Sequence, residues 1–143
     1  RAGRGAARRA RPMAASMAVA EASGKRPRVF NFTERFSAAD GSGRCVLFHI
    51  VALDGSLFVW VGDGGLGLAD LQAAIPTPYG ALPSVAALRG ECDGPGGLMA
   101  QKLSKCFKQL VFLSFNLEND QPELQFFVQK ELSRRIKEIL DGT

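Results

Sequence analysis

The apolar residues of this chain fall first in short runs and then at helical spacing. Residues 44–53, RCVLFHIVAL, and 56–62, SLFVWVG, are rich in β-branched and aromatic side chains, and only Asp54-Gly55 stands between them. Asp-Gly between two apolar runs predicts a β-hairpin, because a two-residue type I′ turn needs positive φ at both central positions. Upstream, VFNFTERF (29–36) alternates as a half-buried strand does, and SAADGSG follows it as a loop. Downstream, LGLADLQAAI (66–75) reads equally as a strand or a short helix, stopped by Pro76 and Pro78. LPSVAAL (82–88) reads as a further strand, ended by Arg89-Gly90.

After a loop at 90–97, GECDGPGG, the period changes. Met99, Leu103, Cys106 or Phe107, and Leu110 form the stripe of an amphipathic helix, with Lys102, Lys105 and Lys108 largely off it and facing solvent. QLVFLSFNL (109–117) is too uniformly apolar for one helix face and predicts a strand. Asp120, Gln121 and Pro122 supply a cap and a first-turn proline. A helix over 123–140 follows, with Leu124, Val128, Leu132, Ile136 and Ile139 on one face. Hairpins early and helices late predict an α+β fold: an antiparallel β-sheet of about six strands with two helices on one face, in a single domain over residues 29–143.

The hairpin register has a functional consequence. A two-residue loop at Asp54-Gly55 sets Leu53 opposite Ser56, Val51 opposite Phe58, and His49 opposite Trp60. The other face carries Phe48, Ile50 and Ala52 with Leu57, Val59 and Val61, wholly apolar and suited to lie under helices. The 109–117 strand divides likewise into Val111, Leu113, Phe115 and Leu117 against a mixed face of Leu110, Phe112, Ser114 and Asn116. Strands apolar on both faces belong to a sheet covered twice, and two helices cover one side. The second cover is either another chain or a loop, such as 76–97, folded over the face. The first reading makes His49, Val51, Phe58, Trp60 and Phe112 a partner interface.

Charge matters only once it is divided along the chain. Residues 1–28 hold eight Lys/Arg and one acid, for +7, and residues 29–143 hold ten Lys/Arg and thirteen acids, for −3. The folded part therefore has no electrostatic footprint for nucleic acid, and no apolar run is long enough to span a membrane as a helix. The Ala/Arg-rich segment 1–28 predicts a disordered basic leader. It is either a transit peptide or a translation extended upstream of a start at Met13 or Met17. Three cysteines, Cys45, Cys92 and Cys106, form no C-x-x-C pair and predict a reducing compartment without a disulfide framework or zinc site. The sequon Asn31-Phe32-Thr33 is then expected to stay unmodified.

One motif points to a different chemistry. Gly62, Gly64 and Gly67 spell G-x-G-x-x-G after a strand, with Glu91 downstream where a ribose-binding acid would stand. A small nucleotide-binding enzyme using the Gly62–Gly67 loop is therefore the alternative function. Against it, the entering strand is a hairpin arm, and too few residues precede Pro76 for the helix that receives a pyrophosphate. The single histidine, His49, reads as a structural residue of the sheet, and no acids, histidines or cysteines have catalytic or metal-ligand spacing. No catalytic residue, metal or cofactor is expected.

FHIVALDGSLFVWVG (48–62), GLMAQKLSKCFKQLVFLSFNL (97–117) and VQKELSRRIKEIL (128–140) together resemble the proteasome assembly chaperone 4 family. That family has a similar S-L-F-x-W-V-G strand, a G-L-x-x-x-L helix running into K-Q-V-F-x-S-x-N-L, and a final R-I-K-E helix. The likeness covers about residues 30–140. The glycines at 64, 65 and 67, the prolines of 76–83 and the Arg-rich leader depart from it. The resemblance implies a non-enzymatic, cytoplasmic protein, with the nucleus as a second location. It implies pairing with proteasome assembly chaperone 3, the heterodimer acting on alpha-type subunits during assembly of the 20S core particle's alpha ring and leaving before the proteasome matures.

Overall fold

The structure, a computed structural model, describes residues 26–39, 41–65, 67–78, 82–91, 93–117 and 122–142. Among these residues eight elements run in chain order: β1 (Arg28–Ser37), β2 (Gly43–Leu53), β3 (Ser56–Gly62), β4 (Leu71–Ile75), β5 (Ser84–Arg89), α1 (Pro95–Phe107), β6 (Leu110–Phe115) and α2 (Pro122–Asp141). The strands form one sheet in the order β1-β2-β3-β6-β4-β5. The β2–β3 hairpin turns at Asp54-Gly55 with Gly55 at φ +81° but Asp54 not at positive φ, so the turn is not type I′. Its register still pairs Leu53 with Ser56, Val51 with Phe58 and His49 with Trp60. The central prediction of the sequence, two distinct faces on these strands, therefore holds.

One face carries the core. Phe48, Ile50, Leu57, Val59, Val61, Val111 and Leu113 are buried beneath Met99, Ala100 and Leu103 of α1 and Leu124, Val128, Leu132 and Ile136 of α2. Both helices thus lie on the same side, as the two amphipathic stripes require. Polar and aromatic contacts tie α2 to β1. Arg135 of α2 bonds Glu34 at 2.6 Å and lies 4.4 Å from the centre of the Phe32 ring, which stacks on Phe48 at 4.7 Å. Phe36 meets Phe127 with ring centroids 5.3 Å apart. The neighbouring Arg134 is exposed; its hydrogen bond to Glu131, aided by the charges of Glu131, Glu138 and Glu34, raises its pKa further above the usual guanidinium value.

The structure departs from the sequence reading, or decides an alternative it left open, in four further places. The sheet is mixed, since β6 inserts between β3 and β4 and runs parallel to β3, while its pairing with β4 is antiparallel. A parallel neighbour needs a crossover connection, and β4, β5 and α1 together supply it. Residues 71–75 of the ambiguous segment are a strand, because Gln72–Ala74 complete the ladder against β6. The first strand begins at Arg28, which pairs with Ala52 and lies over Phe30, so the boundary drawn after residue 28 moves one residue upstream.

The fourth departure is at α1, which starts at Pro95, inside the glycine-rich stretch expected to be a loop. Gly94 is an extended N-cap without a side-chain hydrogen bond, and Pro95 needs no donor at the first helical position. The missing cap is offset from a distance. The Asp70 carboxylate packs where a Cβ on Gly96 would collide with it, which brings a negative charge to the helix N-terminus. At the other end Lys108 takes the left-handed conformation, φ 56°, and its N–H donates to the Ser104 carbonyl at 2.8 Å.

Candidate partner-binding face

Among the described residues, no helix lies on the second face of the sheet. Residue pairing places Val29, Val51, Phe58, Phe112, Ala73 and Ala86 side by side, one from each of the six strands. An uninterrupted apolar row therefore crosses the sheet from one edge to the other. Val51, Phe58 and Phe112 are half-buried by one another, and Val29 at the edge is 57% exposed. Beside this row runs a polar one, Asn31, His49, Trp60 and Ser114. His49 donates from Nδ1 to Oδ1 of Asn31, which turns the imidazole toward β1. Over the polar row lies an open groove of about 480 Å³, lined among others by Thr33, Leu47, His49, Phe58 and Trp60.

All five interface residues expected from the sequence, His49, Val51, Phe58, Trp60 and Phe112, are brought together on this face. The contributions of Val29, Ala73 and Ala86 escaped the sequence reading. So did two exposed neighbours, Ile75 (45%) and Leu88 (56%), which extend the apolar surface toward the β5 edge. Their only sequence signal is alternation within short strands, and the row becomes visible once β6 is known to separate β3 from β4. Of the rival cover, a loop over 76–97, residues 79–81 and 92 lie outside the described residues. Residues 84–89 lie in the sheet as β5, and α1 packs on the opposite side.

The glycine motif has a structural explanation. Gly62 lies under the Trp60 indole: a Cβ built there would fall 2.6 Å from Cζ2. The indole Nε1 donates to the Gly67 carbonyl at 3.0 Å, so the ring is clamped between two of the motif's glycines. Gly64 supplies a positive φ of +126° for the turn between them; Leu66 lies outside the described residues. From Gly67 the chain crosses the polar end of the open face. Asn116 accepts from the Ala69 N–H at 3.0 Å, and Ser114 donates to the Asp70 carbonyl. This strap buries Ser114 and leaves Val51, Phe58 and Phe112 of the row half-exposed, while Ala73 is buried. The element after the motif is strand β4, where a dinucleotide site would have the helix whose N-terminus receives the pyrophosphate.

Gly62→Ala is accordingly expected to displace the indole and destabilise the fold by about 1–3 kcal/mol, the usual cost of overpacking. Trp60 is the chain's single tryptophan, so a shifted emission maximum reports the displacement directly. An unaltered spectrum and melting temperature would contradict the clamp.

Among the described residues no three His, Cys, Asp or Glu side chains come together as a metal site. Cys45 and Cys106 are free and exposed, and Cys92 lies outside the described residues. What the face offers is contact area: large apolar side chains flanked by groups able to hydrogen-bond.

Comparison with known proteins agrees with this architecture. The profile of the family described as "Proteasome assembly chaperone 4" matches residues 45–117, which spans the hairpin, β4, β5, α1 and β6. The chain is similar to human (Homo sapiens) proteasome assembly chaperone 4, with 33% identity over 98 residues, covering 68% of this chain and 76% of the relative. The mouse (Mus musculus) protein of the same name is 33% identical over 97 residues, covering 67% and 75%. The fold of this chain is similar to that of a chain in the crystal structure of a chaperone complex for yeast 20S proteasome assembly. That match has a TM-score of 0.51 and 13% identity, and covers 80% of this chain and 96% of the other. At that identity the structural match speaks for the fold alone. The family match and the two relatives carry the assignment: this chain belongs to the proteasome assembly chaperone 4 family.

Proposed function

We propose that the protein assists assembly of the alpha ring of the 20S proteasome as a heterodimer with proteasome assembly chaperone 3, acting through protein contacts rather than catalysis. Membership of a family of assembly chaperones supports the general role. The observation that carries the finer reading is the apolar row across all six strands, open on the side opposite the helices. A sheet face of this composition is stabilised by being covered, at about 25 cal/mol for each Å² of apolar surface removed from water. Aromatic side chains at its centre, Phe58, Phe112 and Trp60, are the residue types that anchor protein interfaces. The paired chaperone would cover this face, and the pair would then hold alpha-type subunits in the cytoplasm or nucleus.

Affinity purification of the tagged full chain from cells tests the reading. It should recover proteasome assembly chaperone 3 in equal amount and alpha-type subunits of the 20S particle, without mature proteasomes. Recovery of folded, tagged protein with neither class of partner would refute it.

A further inference from the structure

On the side opposite the open sheet face, the two helices leave a second apolar surface. Leu98 of α1 is 57% exposed and Phe126 of α2 is 72% exposed, the highest value among the large hydrophobic side chains of the described residues. They flank a groove of about 230 Å³ between the helices, whose walls include Met99, Lys102, Gln125 and Gln129. Scattered exposed hydrophobes are ordinary on protein surfaces, but two facing each other across a cleft form a socket. The volume falls below the about 300–1,000 Å³ of small-molecule pockets and suits one large side chain of a protein partner.

One charged residue lines the groove. Lys102 is its single charged lining residue, is exposed, and enters none of the ion pairs formed among the described residues. Lys105 stands exposed one turn further along α1, while Glu123, in the first turn of α2, does not line the groove. A lone cation beside an apolar socket walled by carboxamides matches a peptide segment that carries an apolar anchor next to a carboxylate. A membrane surface would instead call for a broad basic face.

We propose that the α1–α2 groove docks an acidic segment of a second protein, with a Phe or Leu side chain inserted between Leu98 and Phe126 and a neighbouring carboxylate on Lys102. The protein is then two-sided, with the sheet face for one partner and the helix face for another. The site is independent of whichever protein covers the sheet.

The test uses the full chain and two fluorescein-labelled peptides, each with one Leu and one Phe a helical turn apart. Asp residues flank them in one peptide and Lys residues in the other. Fluorescence polarisation should show saturable binding of the Asp peptide, weaker binding of the Lys peptide by about tenfold or more, and a reversed preference in Lys102→Glu. Phe126→Ser should lower affinity for the Asp peptide by about tenfold or more while leaving the melting temperature unchanged. Phe58→Ala, on the sheet face, should leave peptide affinity unaltered, which separates this site from the sheet interface. Binding of neither peptide, equal binding of both, an unaffected Lys102→Glu or a loss of affinity in Phe58→Ala would each overturn the proposal.

Discussion

Truncating Phe58 to Ala is expected to weaken association with proteasome assembly chaperone 3 by about 2 kcal/mol, or about thirtyfold in Kd, with the monomer still folded. Phe58 is the middle of the apolar row, paired with Val51 on β2 and Phe112 on β6. In the isolated chain its ring is only half-buried, and it is not part of the buried core on the helix side. The truncation therefore removes little packing from the monomer and much from a covering partner. Titration calorimetry gives the affinity, and circular dichroism gives the fold. A variant that unfolds while the wild type is a well-behaved monomer would make Phe58 a core residue and remove the interface.

The contrasting substitution lies on the other face. Leu132 is fully buried under α2, in line with Leu124, Val128 and Ile136 against the β1–β2 half of the sheet. Leu132→Ala is expected to cost about 2–5 kcal/mol, because the side chain's transfer energy is lost and a cavity remains beneath the helix. For a domain of this size the melting temperature should fall by roughly 10 °C or more. Partner affinity per folded molecule should stay unchanged, since Leu132 is not on the open face. A loss of stability below about 1 kcal/mol would mean that α2 is not held by this stripe.

These two substitutions separate faces that were already distinct in the sequence. Asp54-Gly55 fixes the hairpin register by local turn chemistry, and register alone decides that Phe58 and Leu57 point to opposite sides. The stripe of α2 was equally legible, because helical periodicity is a local property. What sequence reasoning could not reach depends on contacts between distant residues. Nothing around Leu110–Phe115 says that this strand will enter beside β3 in parallel, so the contributions of Ala73 and Ala86 to the row stayed hidden. The start of α1 was missed because the charge at its N-terminus belongs to Asp70, well upstream of Pro95. The glycine motif misled for a related reason. Gly62 yields space to Trp60 two residues earlier, a need that leaves the same letters as a phosphate-binding turn.

Trp60 also offers the most direct test of where the partner sits. It is the single tryptophan of the chain and stands on the open face beside the apolar row, paired with His49. Incorporating 5-fluorotryptophan into this chain alone yields one ¹⁹F resonance, which the partner's own tryptophans cannot obscure. On addition of unlabelled proteasome assembly chaperone 3, the account predicts a shifted resonance and loss of its difference in position between H₂O and D₂O, as the indole is sealed from solvent. A resonance that keeps its position and its solvent sensitivity, in a sample where chromatography shows the complex fully formed, would contradict the assignment of this face.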